Sequence, residues 1–433
     1  MSQLSMPPAT GPLRGTVTVP GDKSITHRAL ILGALAEGHT RITGYSQGED
    51  CLNTLQAVRG LGVEVQEIPE GLEVVGKGLW GLAEPSSVLD CGNSGTGLRL
   101  LAGVLAGQEF FSVLTGDASL RSRPMGRVVK PLRQMGAIIA GRRGGELAPL
   151  AIQGGGLKPT IYESPVASAQ IKSCVLLAGL FAEGATTVKE PMRSRDHTER
   201  MLTYLGVPLR VEGCTVEIEG RQLFEGKPIA VPGDISAAAF FLVAALIVPG
   251  SEILITGIGL NPERTGILDV LLGMGADIAI LNSRETSGEP VGDLRVRSTR
   301  LTGTIIGPEL IPKTIDELPI LCVAAALADG ETRIAGAQEL RVKETDRIHA
   351  MAVELARIGV VVEEQPDGLV IQGGSTLRGA VCQSYGDHRV VMSLAIAGLV
   401  AAEGTVVIED VACVETSFPG FHGKLLDLLT NSK

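Results

Sequence analysis

Two kinds of pattern alternate along the chain. One is an apolar run, rich in Ala and Leu, long enough for three or more helical turns and preceded by a polar or Gly-containing turn. The other is a short β-branched segment that follows a Gly. The pairing is clearest from Val19 to Gly44, VPGDKSITHRALILGALAEGHTRITG, and it returns from Val231 to Gly257 as VPGDISAAAFFLVAALIVPGSEILITG. Each copy reads as turn, capped helix, turn and strand. The block begins again at Thr96, Ser168, Asp316 and His388, so with Ser24 and Ser236 there are six blocks spaced by about 70 residues. Such a period is longer than most solenoid repeats and marks a repeated supersecondary unit.

Between blocks, GVEVQEIPEGLEVVG and GVVVEEQPDGLVIQG alternate apolar and polar residues around Pro-Glu-Gly or Pro-Asp-Gly and predict hairpins. A second helix per unit is legible in DCLNTLQAVRGLGV and TDRIHAMAVELARIGV, both closed by Gly. Strands alternating with helices give a mixed α/β (α+β) class. Three units per half predict two similar domains with pseudo-threefold symmetry, apolar helices inside and sheets outside. Because the two Val-Pro-Gly-Asp turns are the repeat junctions, the expected division is an inserted domain over 21–234 and a discontinuous one of 1–20 plus 235–433. A cleft between them, lined by helix N-termini, is the expected site.

At 433 residues, two domains are also what length predicts. The net charge of -10, without a basic block, argues against a nucleic-acid or anionic-membrane partner, so any cationic site must be local. The seven Cys show no C-x-x-C pair and read as reduced core thiols, with no metal site. The first residues lack a signal or transit pattern and no segment approaches a membrane span, so the expected location is cytoplasmic. The expected state is a monomer.

The helix starts are where chemistry gathers: Lys23, Ser24, His27 and Arg28; Asn93, Gly95, Thr96 and Arg99; Ser168 and Gln170; Asp316; His388 and Arg389. Cations at a helix N-terminus oppose the macrodipole, so three such starts point to a bound anion rather than to surface decoration. The second Val-Pro-Gly-Asp copy has apolar residues at the matching positions and looks structural. Loops add Arg123 and Arg195, and RVKETDRI places Lys343 and Arg347 four apart, as on one helical face, with Glu344 beside Lys343. So many Arg and Lys imply a substrate with more than one phosphate or carboxylate. Asp316 and Glu344 are the candidate general base and acid. Gly76 to Gly81 fits G-x-G-x-x-G but runs into Pro85 rather than a helix, and GDKS lacks a P-loop glycine.

PGDKSITHRAL, GNSGTGLRLLAG, SRPMGR, ASAQIKS, RVKETDRI and YGDHRVVMS together resemble the motif set of the 5-enolpyruvylshikimate-3-phosphate synthase family, in that family's order, from about Leu13 to Pro419. The resemblance implies six βαβαββ units closing over shikimate 3-phosphate and phosphoenolpyruvate (PEP). It assigns Lys23, Ser24, Arg28, Ser168, Gln170, Arg195, Asp316 and Lys343 to shikimate 3-phosphate. It assigns Lys23, Gly95, Arg123, Gln170, Arg347 and Arg389 to PEP, with Asn93, Thr96 and His388 as further candidates. The implied reaction adds the shikimate 5-hydroxyl to C2 of PEP while C3 is protonated, then expels phosphate. Asp316, Glu344 and Lys23 are its implied catalytic groups, and it uses no cofactor. It belongs to the shikimate and chorismate route to aromatic amino acids.

Two departures stand out. Ser168-Ala169 replaces the paired Ser of the family's first class, so the chain is similar to the second class. The first class also carries a C-terminal Lys where this chain has Thr416, and either Lys424 or nothing takes over that PEP contact. Gly95 is the small residue beside which glyphosate is expected to enter. The competing readings are a transferase acting on UDP-N-acetylglucosamine, whose loop Cys would fall near Ala118, and a non-catalytic anion-binding protein on the same scaffold.

Overall fold

The computed structural model describes residues 3–430. The chain divides into two compact units. One is an inserted unit of Gly21–Pro232 together with Glu285–Glu289; the other comprises the N-terminal stretch to Pro20, Gly233–Arg284 and the chain from Pro290 onward. Gly21 sits where a side chain cannot: a Cβ would lie 1.9 Å from the Gly44 carbonyl oxygen.

The inserted unit holds three four-stranded sheets of one design. In the first, strand Glu37–Thr43 pairs parallel with Ile229–Ala230 and antiparallel with Gly71–Lys77, which pairs antiparallel with Glu64–Ile68. The order Leu89–Asp90, Phe111–Thr115, Leu147–Gln153, Ile138–Arg142 repeats it, as does Ile161–Glu163, Ala185–Lys189, Thr215–Glu219, Leu209–Glu212. A long helix, Lys23–Leu35, Gly95–Ala106 or Ala169–Gly179, leads into the second strand of each sheet, and the last two strands of each order form a hairpin, as predicted for the first. Since Ile229–Ala230 supplies the first strand of the first unit, the end of this segment closes on its beginning.

The other unit repeats the arrangement with Arg14–Val17, Glu252–Gly259, Glu289–Arg297, Asp277–Thr286 and with Ile305–Ile306, Glu331–Ile334, Gly368–Gln372, Val362–Gln365. The sixth unit departs from the expected βαβαββ pattern. Its sheet has three strands: Val406–Glu409 pairs parallel with Val381–Gln383 and antiparallel with Gln3–Met6. The N-terminal strand takes the hairpin's place, and the chain continues into a 3-10 segment, Val411–Thr416, and the helix Phe421–Thr430.

The long helices are the cores. Every residue from Ile235 to Leu246 and from Ile25 to Leu35 is buried, which fits runs apolar on all faces beyond the polar residues near the helix starts. Small residues allow these helices to approach closely: a Cβ on Gly103 would lie 2.3 Å from the Cys174 carbonyl oxygen on the neighbouring helix. The second helices carry one apolar stripe and cover the outside, as Glu49–Gly60 does through Cys51, Thr54, Leu55 and Val58. Phe240, Phe241, Phe418 and Phe421 interlock at centroid distances of 5.5–5.9 Å and fix the C-terminal segment to its core. Among the described residues all seven Cys are free, and no helix is long and apolar enough to cross a membrane.

Candidate functional site

In the inserted unit the three core helices begin with side chains that cap them, Asp22, Ser94 and Ser168, each accepting a hydrogen bond from a backbone N–H of the first turn. Caps fix where each helix starts and so where the predicted residues stand. Lys23 donates to Asp50 Oδ2 at 2.9 Å. Arg28, one turn further in, is buried and donates from Nε to Thr198 Oγ1 (2.7 Å), from Nη1 to the Ser24 carbonyl (2.8 Å) and from Nη2 to Ser173 Oγ (2.7 Å). Burial lowers its pKa to about 10, which leaves it a cation at neutral pH.

The second and third helix starts are tied to each other. Arg99 Nη1 donates to Gln170 Oε1 at 2.6 Å, and Gln170 Nε2 donates to Thr96 Oγ1 at 2.9 Å. Arg123 comes in from a 3-10 turn and donates to Asn93 Oδ1 at 2.5 Å, while Asn93 itself donates to Asp117. Gly95 lies between the two guanidinium groups: a Cβ there would stand 2.9 Å from Arg99 Nη1 and 3.4 Å from Arg123 Nη1. Ser168 N donates to Glu190 Oε1, and Arg195 sits half-buried in the turn after Ser194.

His27 lies beneath this array, with Nδ1 2.8 Å from Thr54 Oγ1 and Nε2 3.3 Å from Ser94 Oγ. Burial, then Lys23 and Arg28, hold its pKa well below the ordinary histidine value. A native pKa below the unfolded one means that the unfolded chain binds the proton first, so stability falls as pH drops below about 6.5, by up to about 1.4 kcal/mol per pH unit. Melting curves at pH 7.5 and 5.5 should therefore show a smaller difference for His27→Gln than for the natural chain; an equal difference would remove His27 as the source.

The other unit carries the second set. Arg347 is the first residue of the helix Arg347–Arg357, whose cap is Asp346. Its Nε donates to Asp387 Oδ2 (2.8 Å), its Nη2 to Glu344 Oε2 (2.7 Å) and its Nη1 to Asp316 Oδ1 (3.5 Å). Lys343 Nζ lies 4.0 Å and Arg389 Nε 3.9 Å from the same Asp316 oxygen, and Arg389 Nη1 donates to the Asp316 carbonyl at 2.8 Å. Burial works against the charge of Arg347, but Asp387, Glu344 and Asp316 outweigh it and hold its pKa above the ordinary arginine value. Three cations thus surround one carboxylate, with a second carboxylate on the same guanidinium.

The spacing of Lys343 and Arg347 is not helical. Lys343 and Glu344 lie in the turn after the 3-10 segment Gln338–Val342, because Asp346 accepts from His349 N and starts the helix only at Arg347. The turn directs Glu344 back onto Arg347. Thr416 places Oγ1 3.4 Å from His388 Nδ1 and donates to the Cys413 carbonyl, so a neutral hydroxyl stands beside His388. Lys424 is on the helix Phe421–Thr430.

Several partners escape sequence reasoning. Asp387 reads from the sequence only as a polar residue at its helix start, yet it caps that helix through Arg389 N and binds Arg347. The second Val-Pro-Gly-Asp copy also acquires a cation: Arg264 Nη2 donates to Asp234 Oδ1 and Ser236 Oγ, each at 2.8 Å, and Ser236 donates to Glu317 beside Asp316. Among the described residues no cluster of His, Cys, Asp and Glu could hold a metal ion.

The chain matches the family model described as EPSP synthase (3-phosphoshikimate 1-carboxyvinyltransferase) over residues 8–425. It is 56% identical over 421 residues to the 3-phosphoshikimate 1-carboxyvinyltransferase of Citrifermentans bemidjiense, covering 97% of this chain and 98% of that one. With the protein of the same name from Geobacter sulfurreducens it shares 55% identity over 425 residues, 98% and 99% of the two chains. The solved EPSP synthase of Acinetobacter baumannii superposes with a TM-score of 0.88 at 44% identity, covering 99% of this chain and 98% of that one. Matches of this length and identity leave one conclusion: the chain belongs to the EPSP synthase (3-phosphoshikimate 1-carboxyvinyltransferase) family.

Proposed function

We propose that the chain transfers the enolpyruvyl group of PEP to the 5-hydroxyl of shikimate 3-phosphate and releases phosphate, with the residues predicted from the motifs in their predicted roles. The observation that supports this reading best is the pair of carboxylates, Asp316 and Glu344, held on one buried Arg347 among Lys343 and Arg389. Asp316 takes the proton of the attacking hydroxyl as its oxygen bonds to C2 of PEP. Glu344 gives a proton to C3, and the same carboxylate takes one back as the C2–O bond to phosphate breaks. Lys23, Gly95, Arg123, Gln170, Arg347 and Arg389 bind PEP; Lys23, Ser24, Arg28, Ser168, Gln170, Arg195, Asp316 and Lys343 bind shikimate 3-phosphate. Asn93 and Thr96 hold Arg123 and Gln170 in place. Catalysis is mainly positioning and fixed charge.

Phosphate release from PEP, measured in parallel with shikimate 3-phosphate and with UDP-N-acetylglucosamine, tests the assignment. Release that requires shikimate 3-phosphate is expected. Release with the sugar nucleotide instead would move the chain to the other acceptor, and none with either would leave only anion binding.

Gly95→Ala separates binding from folding. Its Cβ crowds the ends of Arg99 and Arg123. The KM for PEP should rise roughly tenfold, equivalent to ~1.4 kcal/mol. At a helix start Ala has the better propensity, so Tm should not fall. An unchanged KM would place PEP elsewhere.

A further inference from the structure

We infer that Lys172, a residue with no assigned role, is a positioning residue that sets the shikimate 3-phosphate half of the site by tying three chain segments to one buried point. Its side chain is 3% exposed, too enclosed to touch a substrate. An ammonium has three donors, and each one is met: Glu190 Oε2 at 3.0 Å, Glu199 Oε1 at 2.8 Å and the Ser194 carbonyl at 3.1 Å. Burial disfavours the charge, but Glu199 and Glu190 keep the Lys172 pKa above the ordinary lysine value.

Each acceptor leads to an assigned residue. Glu190 Oε1 accepts from Ser168 N at 2.9 Å and from Ser194 Oγ at 2.7 Å, so it holds both the cap of the helix that carries Gln170 and the turn that carries Arg195. The Ser194 carbonyl pins the same turn from its other side. Glu199 follows Thr198, whose Oγ1 accepts from Arg28 Nε at 2.7 Å and donates to Ser173 Oγ at 2.7 Å. Ser173 is next to Lys172 and accepts from Arg28 Nη2. One lysine therefore sets the spacing of Ser168, Arg195 and Arg28. An apolar residue of similar volume commonly packs in a core as well as or better than a buried ion pair. What the ionic version adds is fixed direction, since three acceptors, two in one turn and one on the helix His197–Leu205, leave one arrangement.

The inference rests on the assignment of Ser168, Arg28 and Arg195 to shikimate 3-phosphate. The test is the double variant Lys172→Met/Glu199→Gln, which keeps the net charge of the cluster and leaves Glu190 its bonds to Ser168 and Ser194. The folded variant is expected to show a KM for shikimate 3-phosphate raised at least tenfold, with kcat and the KM for PEP changed by less than threefold. A variant whose two KM values both match the natural chain, or which loses kcat alone, would overturn the inference. Should it fail to fold, Ser194→Ala removes only the hydroxyl that Glu190 holds; a three- to fivefold rise in the KM for shikimate 3-phosphate supports the inference and no rise overturns it. A natural chain inactive with shikimate 3-phosphate overturns the functional reading together with this one, whereas unaffected variants of an active chain overturn this one alone.

Discussion

Glu344→Gln is expected to lower kcat by about 10²- to 10⁴-fold, the range that a positioned proton donor contributes, while the dissociation constants of both substrates stay within about threefold. The amide keeps an oxygen that can accept from Arg347 Nη2, as Glu344 Oε2 does at 2.7 Å, so the turn and its charge partner persist. What is lost is the exchangeable proton for C3 of PEP. Steady-state rates together with equilibrium binding measure both quantities. An equal loss of binding and turnover would make Glu344 a structural partner of Arg347, and unchanged turnover would give the proton transfer to another group.

Arg347→Met should have the largest effect on folding. The guanidinium is 1% exposed and lies against Asp387, Glu344 and Asp316, with Asp387 itself fully buried. Removing the cation leaves that carboxylate without its charge partner, a change that typically costs about 3–5 kcal/mol. Turnover should fall below detection, because Asp316 and Glu344 lose the group that holds them. Adding Asp387→Asn removes the most buried negative charge, so Arg347→Met/Asp387→Asn should regain part of the lost Tm and none of the activity. A single variant as stable as the natural chain would contradict the central position given to Arg347.

The sequence made the helix starts legible because their signal is local. A capping Asp or Ser in five of the six blocks, an apolar run and a closing Gly lie within one block, so the six core helices and two of the hairpins could be read from the chain itself. The charged residues at those starts were found for the same reason. Their partners were not, because those contacts come from distant segments: Arg28 rests on Ser173 and Thr198, and Lys172 joins Glu190 to Glu199. Lys172 stands in its helix between Gln170 and Ser173, and nothing in that run of residues points to Glu190 or Glu199. Ser236 gave no hint of Arg264, 28 residues away.

Two readings failed where a general pattern met a specific turn. Four-residue spacing suggested a helix through Lys343, but the Asp346 cap starts the helix at Arg347. Repetition suggested six equal units, but the sixth sheet uses the strand Gln3–Met6, and pairing across that distance leaves no mark in local periodicity.

Magnetic resonance of one reaction in D₂O tests the central claim most directly, by following the phosphorus of PEP and the protons of the acceptor together. Addition with protonation at C3, followed by loss of phosphate, requires inorganic phosphate and a vinyl ether on shikimate 3-phosphate to form at equal rates. It also requires deuterium in the vinyl CH₂, since C3 passes through a methyl group. Phosphate without the vinyl ether, or a vinyl group free of deuterium at full conversion, would contradict the account.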